Sequence, residues 1–237
     1  MIVLAGGSWA VGEWSKDHTP SHLGLYQYLQ DDGYEVVTVS GPGLSNQQSF
    51  YKISEIFTSG MADFFKNKIE KIFVFQGSWF LDYKNLNNSI EISTYNYTSS
   101  SNALSSWYKN LSNLSVKYSV KIGIIGGPTD TIWLDKFESE YPGVFIACQS
   151  MTNLCINNQH KIMNPVYGVY WKELVQNLKN VVDTELAVDS LILESSLGQQ
   201  RLLDWEQNPQ WFYPDGLHAN RHGHKKLYDF LKQQEYI

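Results

Sequence analysis

The amino-acid sequence predicts an α/β protein built on a doubly wound parallel sheet with helices on both faces. Five short apolar runs lack polar alternation, as is typical of strands that are covered on both faces. Segments with helical periodicity separate these runs, which indicates right-handed crossover connections between parallel strands. Glycine-bearing loops follow the first four runs. Together these patterns favour one domain over the whole chain, 1–237, and this length suits a single domain.

The elements are predicted in the following order. The strands are predicted at 2–5, 36–39, 72–75, 122–125 and 144–147. Helices are predicted at about 21–30, 47–66, 101–116, 131–140, 167–196 and 220–234. The segments 81–100 and 149–165 have neither period and are expected to form loops at the ligand-binding edge, the first of them an open loop or a lid.

Composition excludes several classes of protein. The formal net charge is −6, and only Arg201 and Arg221 are arginines, so clustered phosphate contacts with nucleic acid are not expected. No basic leader or long apolar stretch occurs, which predicts a cytoplasmic or otherwise soluble protein without a signal peptide or membrane span. Aromatic residues reach 14%, enough to line a groove for sugars or acyl chains. The oligomeric state is not predicted.

Ser8 is the candidate nucleophile. It follows the first predicted strand in Gly6-Gly7-Ser8, and ligands of doubly wound sheets bind beyond the carboxyl ends of the strands. A serine hydroxyl becomes a nucleophile when a base accepts its proton and an acid orients that base. The alternative is that Ser8 only caps a helix.

Asp215 and His218 are the candidate acid and base. Because the two residues are three positions apart, the carboxylate can hold one imidazole nitrogen and leave the other for the serine. The alternative is a surface turn before the last helix, with Asp215 or Asn220 as its cap.

A metal site is the other hypothesis for this segment, with His218, His222 and His224 as ligands. His222 and His224 are not spaced for one helical face, and no carboxylate motif accompanies them. We therefore predict no metal or other cofactor, and we expect His224 to cap or pack beside the helix start. Cys148 and Cys155 match no zinc signature and are expected to be reduced thiols.

These blocks resemble the SGNH (GDSL-type) hydrolases. That family has a flavodoxin-like three-layer α/β/α domain, so the resemblance implies a five-stranded parallel sheet here. Gly6-Gly7-Ser8-Trp9 corresponds to the family's first block and Asp215-Gly-Leu-His218 to its last. The resemblance thereby implies a catalytic triad of Ser8, Asp215 and His218. It also implies an oxyanion hole that includes the backbone N–H groups of Ser8 and Gly43, or of Gly41 in place of Gly43.

The chain departs from the family pattern in two places. Gly7 stands where the first block has an aspartate, and Glu13 is an acid nearby. In the third block, Gly77-Ser78-Trp79 replaces Gly-x-Asn, so an oxyanion donor is missing. A donor of this kind is worth about 10²–10³ in rate.

Asn46 is the candidate replacement for that donor, and Ser78 is a weaker one. The alternative role for Asn46 is to cap the helix that is expected to begin near Gln47.

The sequence thus predicts a serine esterase that acts on small acyl esters, acetyl esters above all, of a small molecule or carbohydrate. Its carboxylic ester hydrolysis would proceed through an acyl-enzyme without a cofactor. Two alternatives remain open. One is a weak or inactive hydrolase-like protein that binds glycans or serves a structural role, and the other is a metal-dependent hydrolase that uses the C-terminal histidines.

Overall fold

The structure is a computed structural model. It describes the residues 1–14, 19–59, 68–77, 97–127, 131, 137–159, 203–204, 206–212 and 218–237. The backbone of 97–103 is described there as helix. The predicted helix at 167–196 lies outside these residues, as do most of the segment 81–100 and the catalytic candidates Ser78 and Asp215.

A five-stranded parallel sheet forms the centre of the described structure. Its strands are β1 (Ile2–Gly6), β4 (Val36–Thr38), β5 (Lys71–Gln76), β6 (Lys121–Gly126) and β7 (Val144–Cys148). They lie in the order β4-β1-β5-β6-β7, and every neighbouring pair is parallel. Because the chain moves outward from β1 in both directions, the sheet is doubly wound. All five predicted strands are confirmed. A separate short hairpin pairs β2 (Glu13–Trp14) with β3 (Pro20–His22).

Helices cover both faces of the sheet. In chain order the described helices are α1 (Ser8–Val11), α2 (Leu25–Asp31), α3 (Asn46–Thr58), α4 (Tyr97–Tyr118), α5 (Phe137–Glu140), α6 (Met151–Asn157) and α7 (Arg221–Gln233). Residues of α3, α4 and α5 share one buried cluster with alternate strand residues. Residues of α1, α2, α6 and α7 share a second cluster with the intervening strand residues. The three-layer α/β/α architecture is therefore confirmed.

Two predicted helices are shorter than expected at their described ends. The helix α2 begins at Leu25, because residues 20–22 pair in the hairpin and Gly24 has a positive φ of 58°. The helix α3 ends at Thr58, where Ser59 returns to an extended conformation. At its start, Ser45 and Gln48 form a reciprocal capping box.

The loop predictions need two corrections. Within 149–165, Met151–Asn157 is a helix, so the irregular interpretation was wrong for those residues. Ser150 caps this helix, and Met151, Leu154 and Cys155 bury a face at helical spacing. Within 81–100, the helix α4 already begins at Tyr97, since its first turns precede the apolar period that marked it in the sequence.

None of the helices in the described part of the chain combines the length and the apolar character needed to cross a membrane.

Candidate functional site

Glycine loops from four strands meet at the carboxyl edge of the sheet, as predicted. The Gly41 N–H donates to the Gly6 carbonyl at 3.1 Å, which joins the loops after β4 and β1. A Cβ atom on Gly7 would lie 3.1 Å from the Leu44 carbonyl oxygen. A Cβ on Gly127 would lie 3.2 Å from the carbonyl oxygen of Gln76. The loops approach so closely that side chains at these positions would push them apart.

Ser8 lies at the first of these loops with its side chain free of a capping role. Gly7 is the N-cap of α1, without a side-chain cap, and Ser8 is the first helical residue. The hypothesis that Ser8 caps this helix is therefore wrong. Gly6 makes the turn into the serine possible, because it has a φ of 136° and a Cβ there would lie 2.8 Å from the Phe75 carbonyl oxygen. Ser8 itself is half-buried.

His218 is held by the residues that start the last helix. Ala219 forms an antiparallel bridge with Phe212, and the Asn220 N–H donates to the Trp211 carbonyl at 2.9 Å. The Asn220 side chain accepts hydrogen bonds from two N–H groups of α7 and donates to the carbonyls of Pro209 and Phe212. The alternative that Asn220 caps the helix is confirmed. The half-buried His218 therefore lies two residues before a firmly anchored N-cap.

Trp14 connects the two ends of the chain. Its indole N–H donates to the Ser8 carbonyl at 3.4 Å, a long hydrogen bond. The same indole packs against the His218 imidazole, with ring centroids 6.0 Å apart. The structure thus brings Ser8 and His218 into contact with one side chain, although they lie at opposite ends of the chain.

An ion pair between Glu13 and Arg221 strengthens this connection. The Arg221 backbone N–H donates to Glu13 Oε2 at 2.6 Å, and its guanidinium Nη2 donates to Oε1 at 2.9 Å. Arg221 Nε lies 3.1 Å from Oε2 and 3.3 Å from Oε1. The hydrogen bonds from the Arg221 side chain hold the pKa of the Glu13 carboxyl at about 2. Glu13 is therefore an ionised, 9% exposed group that binds the first residue of α7.

Sequence reasoning noticed Glu13 but assigned it no role. The only signal was that the chain has two arginines, one of them shortly after the candidate base. No local pattern pairs residues that lie 208 positions apart, so the ion pair became visible only in the folded structure.

Asn46 makes two hydrogen bonds with the backbone of Gly77. Its Oδ1 accepts from the Gly77 N–H at 2.8 Å, and its Nδ2 donates to the Gly77 carbonyl at 3.3 Å. Ser45, not Asn46, caps α3, so the capping alternative for Asn46 was wrong. Asn46 is 1% exposed and joins the loop after β4 to the loop after β5. Its role as an oxyanion donor stays a prediction.

Gly43 lies in the loop between β4 and α3 with a positive φ of 68° and open space around its Cβ position. Gly41, the alternative donor, already gives its N–H to Gly6.

The C-terminal histidines lie in different environments. His224 packs inside the protein with 0% exposure, against Gly24 and Phe75, and neither ring nitrogen has a hydrogen-bond partner among the described residues. Burial lowers the pKa of His224 to about 3. His222 is exposed. Within the described ranges, no group of three or more His, Cys, Asp or Glu side chains is arranged to hold a metal ion.

Neither cysteine forms a disulfide, in agreement with the predicted reduced thiols, and both are buried. Burial raises the pKa of the Cys155 thiol to about 12. This thiol remains protonated at neutral pH and is a poor nucleophile.

No protein-family model matches the sequence, and no curated protein matches it. Among solved structures, the chain is similar to a psychrotrophic esterase from Pseudoalteromonas, with 8% identity, a TM-score of 0.45, and coverage of 99% of this chain and 96% of that one. A lipase/acylhydrolase from Enterococcus faecalis has 15% identity, a TM-score of 0.39, and coverage of 98% and 93%. An acetylxylan esterase from Geobacillus stearothermophilus has 12% identity, a TM-score of 0.39, and coverage of 98% and 92%.

These neighbours are esterases and a lipase/acylhydrolase. Because the identities are so low, the fold assignment for this chain depends on its own strand order. Its function has to be inferred from its own site residues.

Proposed function

We propose that the chain is a serine esterase of the SGNH type, with Ser8 as nucleophile, His218 as base and Asp215 as the acid that orients the base. The observation that carries the proposal is the Trp14 indole, which contacts both the Ser8 carbonyl and the His218 ring. This contact supports one site at the ligand-binding edge of a doubly wound sheet, with Ser8 and His218 both half-buried and Ser8 not serving as a helix cap.

The proposed reaction has two halves. The Ser8 oxygen attacks the ester carbonyl while His218 Nε2 accepts the hydroxyl proton, and the Asp215 carboxylate holds Nδ1–H. The tetrahedral intermediate collapses, the C–O bond to the alcohol breaks, and the imidazolium returns its proton to the leaving alcohol. Water then attacks the acyl-serine with His218 as base, which releases the carboxylic acid and restores Ser8.

The proposed oxyanion hole uses the backbone N–H groups of Ser8 and Gly43. The engagement of the Gly41 N–H by the Gly6 carbonyl favours Gly43 over Gly41. Asn46 keeps its candidate role as the third donor. Its two bonds to Gly77 favour a contribution through the position of that loop.

The proposed substrate is an acetyl or similarly small acyl ester, carried by a carbohydrate or another small alcohol. Trp14 is half-buried beside both catalytic candidates, and tryptophan faces are suited to pack on sugar rings. No cofactor takes part in this mechanism.

Ser8→Ala tests the proposal in a p-nitrophenyl acetate assay. We expect kcat/KM to fall by a factor on the order of 10⁴ or more, because the nucleophile is removed. Ser40→Ala is the matched control, since Ser40 lies in the neighbouring loop and its hydroxyl is hydrogen-bonded to the Thr38 hydroxyl. Circular dichroism should show the same thermal transition for wild type and Ser8→Ala.

A fluorophosphonate probe separates the enzyme from the inactive glycan-binding alternative. An activated serine forms a covalent phosphonyl adduct that mass spectrometry assigns to Ser8. Unchanged turnover in Ser8→Ala, or a folded wild type that neither turns over nor reacts, would overturn the proposal. Loss of activity on treatment with a chelator would favour the metal-dependent alternative.

A further inference from the structure

We infer that the Glu13–Arg221 ion pair is a positioning latch that holds the His218 segment against the Ser8 turn. This inference rests on the proposed function of Ser8 and His218. The described hydrogen bonds of the Glu13 and Arg221 side chains join these two residues to each other and to the hairpin, so the pair acts by positioning the two segments that it joins.

Each residue of the latch lies a few positions after one of the two catalytic candidates in the sequence. Glu13 immediately precedes Trp14, whose indole contacts Ser8 and His218. Arg221 immediately follows the cap residue Asn220, three positions after His218. A displacement at the ion pair would therefore change the distance between the serine and the base.

The geometry of the pair is suited to fixing position. Both carboxylate oxygens of Glu13 accept bonds from the Arg221 side chain, and Oε2 also accepts from the backbone N–H. Bidentate contacts of this kind fix orientation as well as distance. The Ser21 hydroxyl donates to Glu13 Oε1 at 3.0 Å, so the carboxylate is also held from the other strand of the hairpin.

The hairpin that presents Glu13 is itself closely packed. Gly12 has a φ of 118°, and a Cβ there would lie 2.2 Å from the His22 carbonyl oxygen and 2.6 Å from the Gly24 nitrogen. The Tyr28 hydroxyl donates to the Arg221 carbonyl at 3.0 Å. Arg221 is thus bound through its side chain, its N–H and its carbonyl, which leaves the start of α7 little freedom.

A second ion pair on the same helix provides a matched control. Lys232 binds Asp32 at 2.8 Å near the far end of α7, and it also links this helix to the N-terminal half of the chain. If the ion pairs only helped to dock α7 on the rest of the protein, both pairs would contribute in the same way. A positioning role for His218 belongs only to the pair at the helix start.

The test compares Glu13→Gln and Arg221→Gln with Asp32→Asn, all well below their thermal transitions. For both latch variants we expect kcat for p-nitrophenyl acetate to fall about tenfold or more, with KM within twofold of wild type. We expect Asp32→Asn to retain kcat within twofold. Arg221→Gln keeps the backbone N–H bond to Glu13, so it provides a milder variant if Glu13→Gln does not fold.

Hydrogen exchange of the backbone provides a readout that does not depend on turnover. In a Ser8→Ala background, we expect faster amide exchange at residues 218–220 for Glu13→Gln than for Asp32→Asn. Equal amide exchange rates in Glu13→Gln and Asp32→Asn would overturn the latch. Faster exchange in Glu13→Gln together with an unchanged kcat for that variant would also overturn it. If the wild type shows neither turnover nor probe labelling, the proposed function fails, and the exchange comparison alone decides whether the pair holds the segment.

Discussion

The buried residues that cover the two faces of the sheet differ in chemical character. The α4 face, covered by α3, α4 and α5, is a continuous apolar and aromatic core. Its rings pack closely, with Tyr108 and Phe137 centroids 5.0 Å apart and Phe57 stacked on Tyr118 at 4.4 Å. The α7 face, covered by α1, α2, α6 and α7, is also apolar. However, it surrounds the unpartnered imidazole of His224 and borders the ionised Glu13.

This difference predicts that the two faces contribute differently to stability and to activity. Burial of apolar side chains stabilises both faces, but unpartnered buried polar groups cost free energy. Among the described residues, the α4 face has one such group, the indole N–H of Trp107. The His224 imidazole, which can change its charge, lies on the face whose helices begin next to Ser8 and His218. We therefore expect changes on the α4 face to alter stability alone, and changes on the α7 face to alter activity or its dependence on pH as well.

The largest expected effect comes from a matched pair of core truncations. Leu111 on α4 and Leu227 on α7 are both fully buried, so Leu111→Ala and Leu227→Ala should each lower the free energy of unfolding by about 2–5 kcal/mol. Urea denaturation measures this loss. At a temperature where both variants are folded, esterase activity should persist in Leu111→Ala and fall in Leu227→Ala. Equal activities would contradict the proposed division.

The second prediction concerns pH and His224. Its pKa is lowered from 6.5 to about 3 in the folded protein, so between these values the unfolded chain binds more protons. Stability should therefore be complete above pH 6.5 and decrease as the pH falls, by up to about 1.4 kcal/mol per pH unit. Burial also lowers the pKa of His22, which adds to the loss in this range.

His224→Phe should reduce this slope relative to that of the wild type. Urea denaturation between pH 6.5 and 4.5 isolates the histidines, because the Glu13 carboxyl has an ordinary pKa of 4.5 and a folded value of about 2. Glu13 therefore contributes stability that is lost only below about pH 4.5. An identical slope in wild type and His224→Phe would show that the imidazole is not responsible.

The smallest expected change in stability comes from two glycines with positive φ and open space around them. Gly43→Ala and Gly33→Ala, with φ values of 68° and 87°, should each cost about 1–2 kcal/mol through backbone strain alone. Gly43→Ala should also lower kcat, because the strained loop displaces the proposed oxyanion donor. A kcat loss of the same size in Gly33→Ala would remove support for that donor.

Local sequence patterns were sufficient to predict the sheet. Each of the five strands contains an apolar run, and most of the residues in these runs are buried, so hydrophobicity alone indicated their positions. Helix ends were predicted less well, because they depend on hydrogen bonds with single residues. Ser59 ends α3, and Ser150 starts the unpredicted helix α6.

The candidate site, too, could be predicted only in part from the sequence. The sequence by itself determined which chemical groups are present, because Ser8 and His218 occur in short blocks. The βα alternation also predicted the parallel sheet. Only the tertiary structure decided that Trp14 contacts both groups, that Glu13 binds Arg221, and that Asn46 holds Gly77. These contacts join residues that lie far apart in the chain. The geometry of the fold selects such partners, because local sequence preferences act only between neighbouring residues.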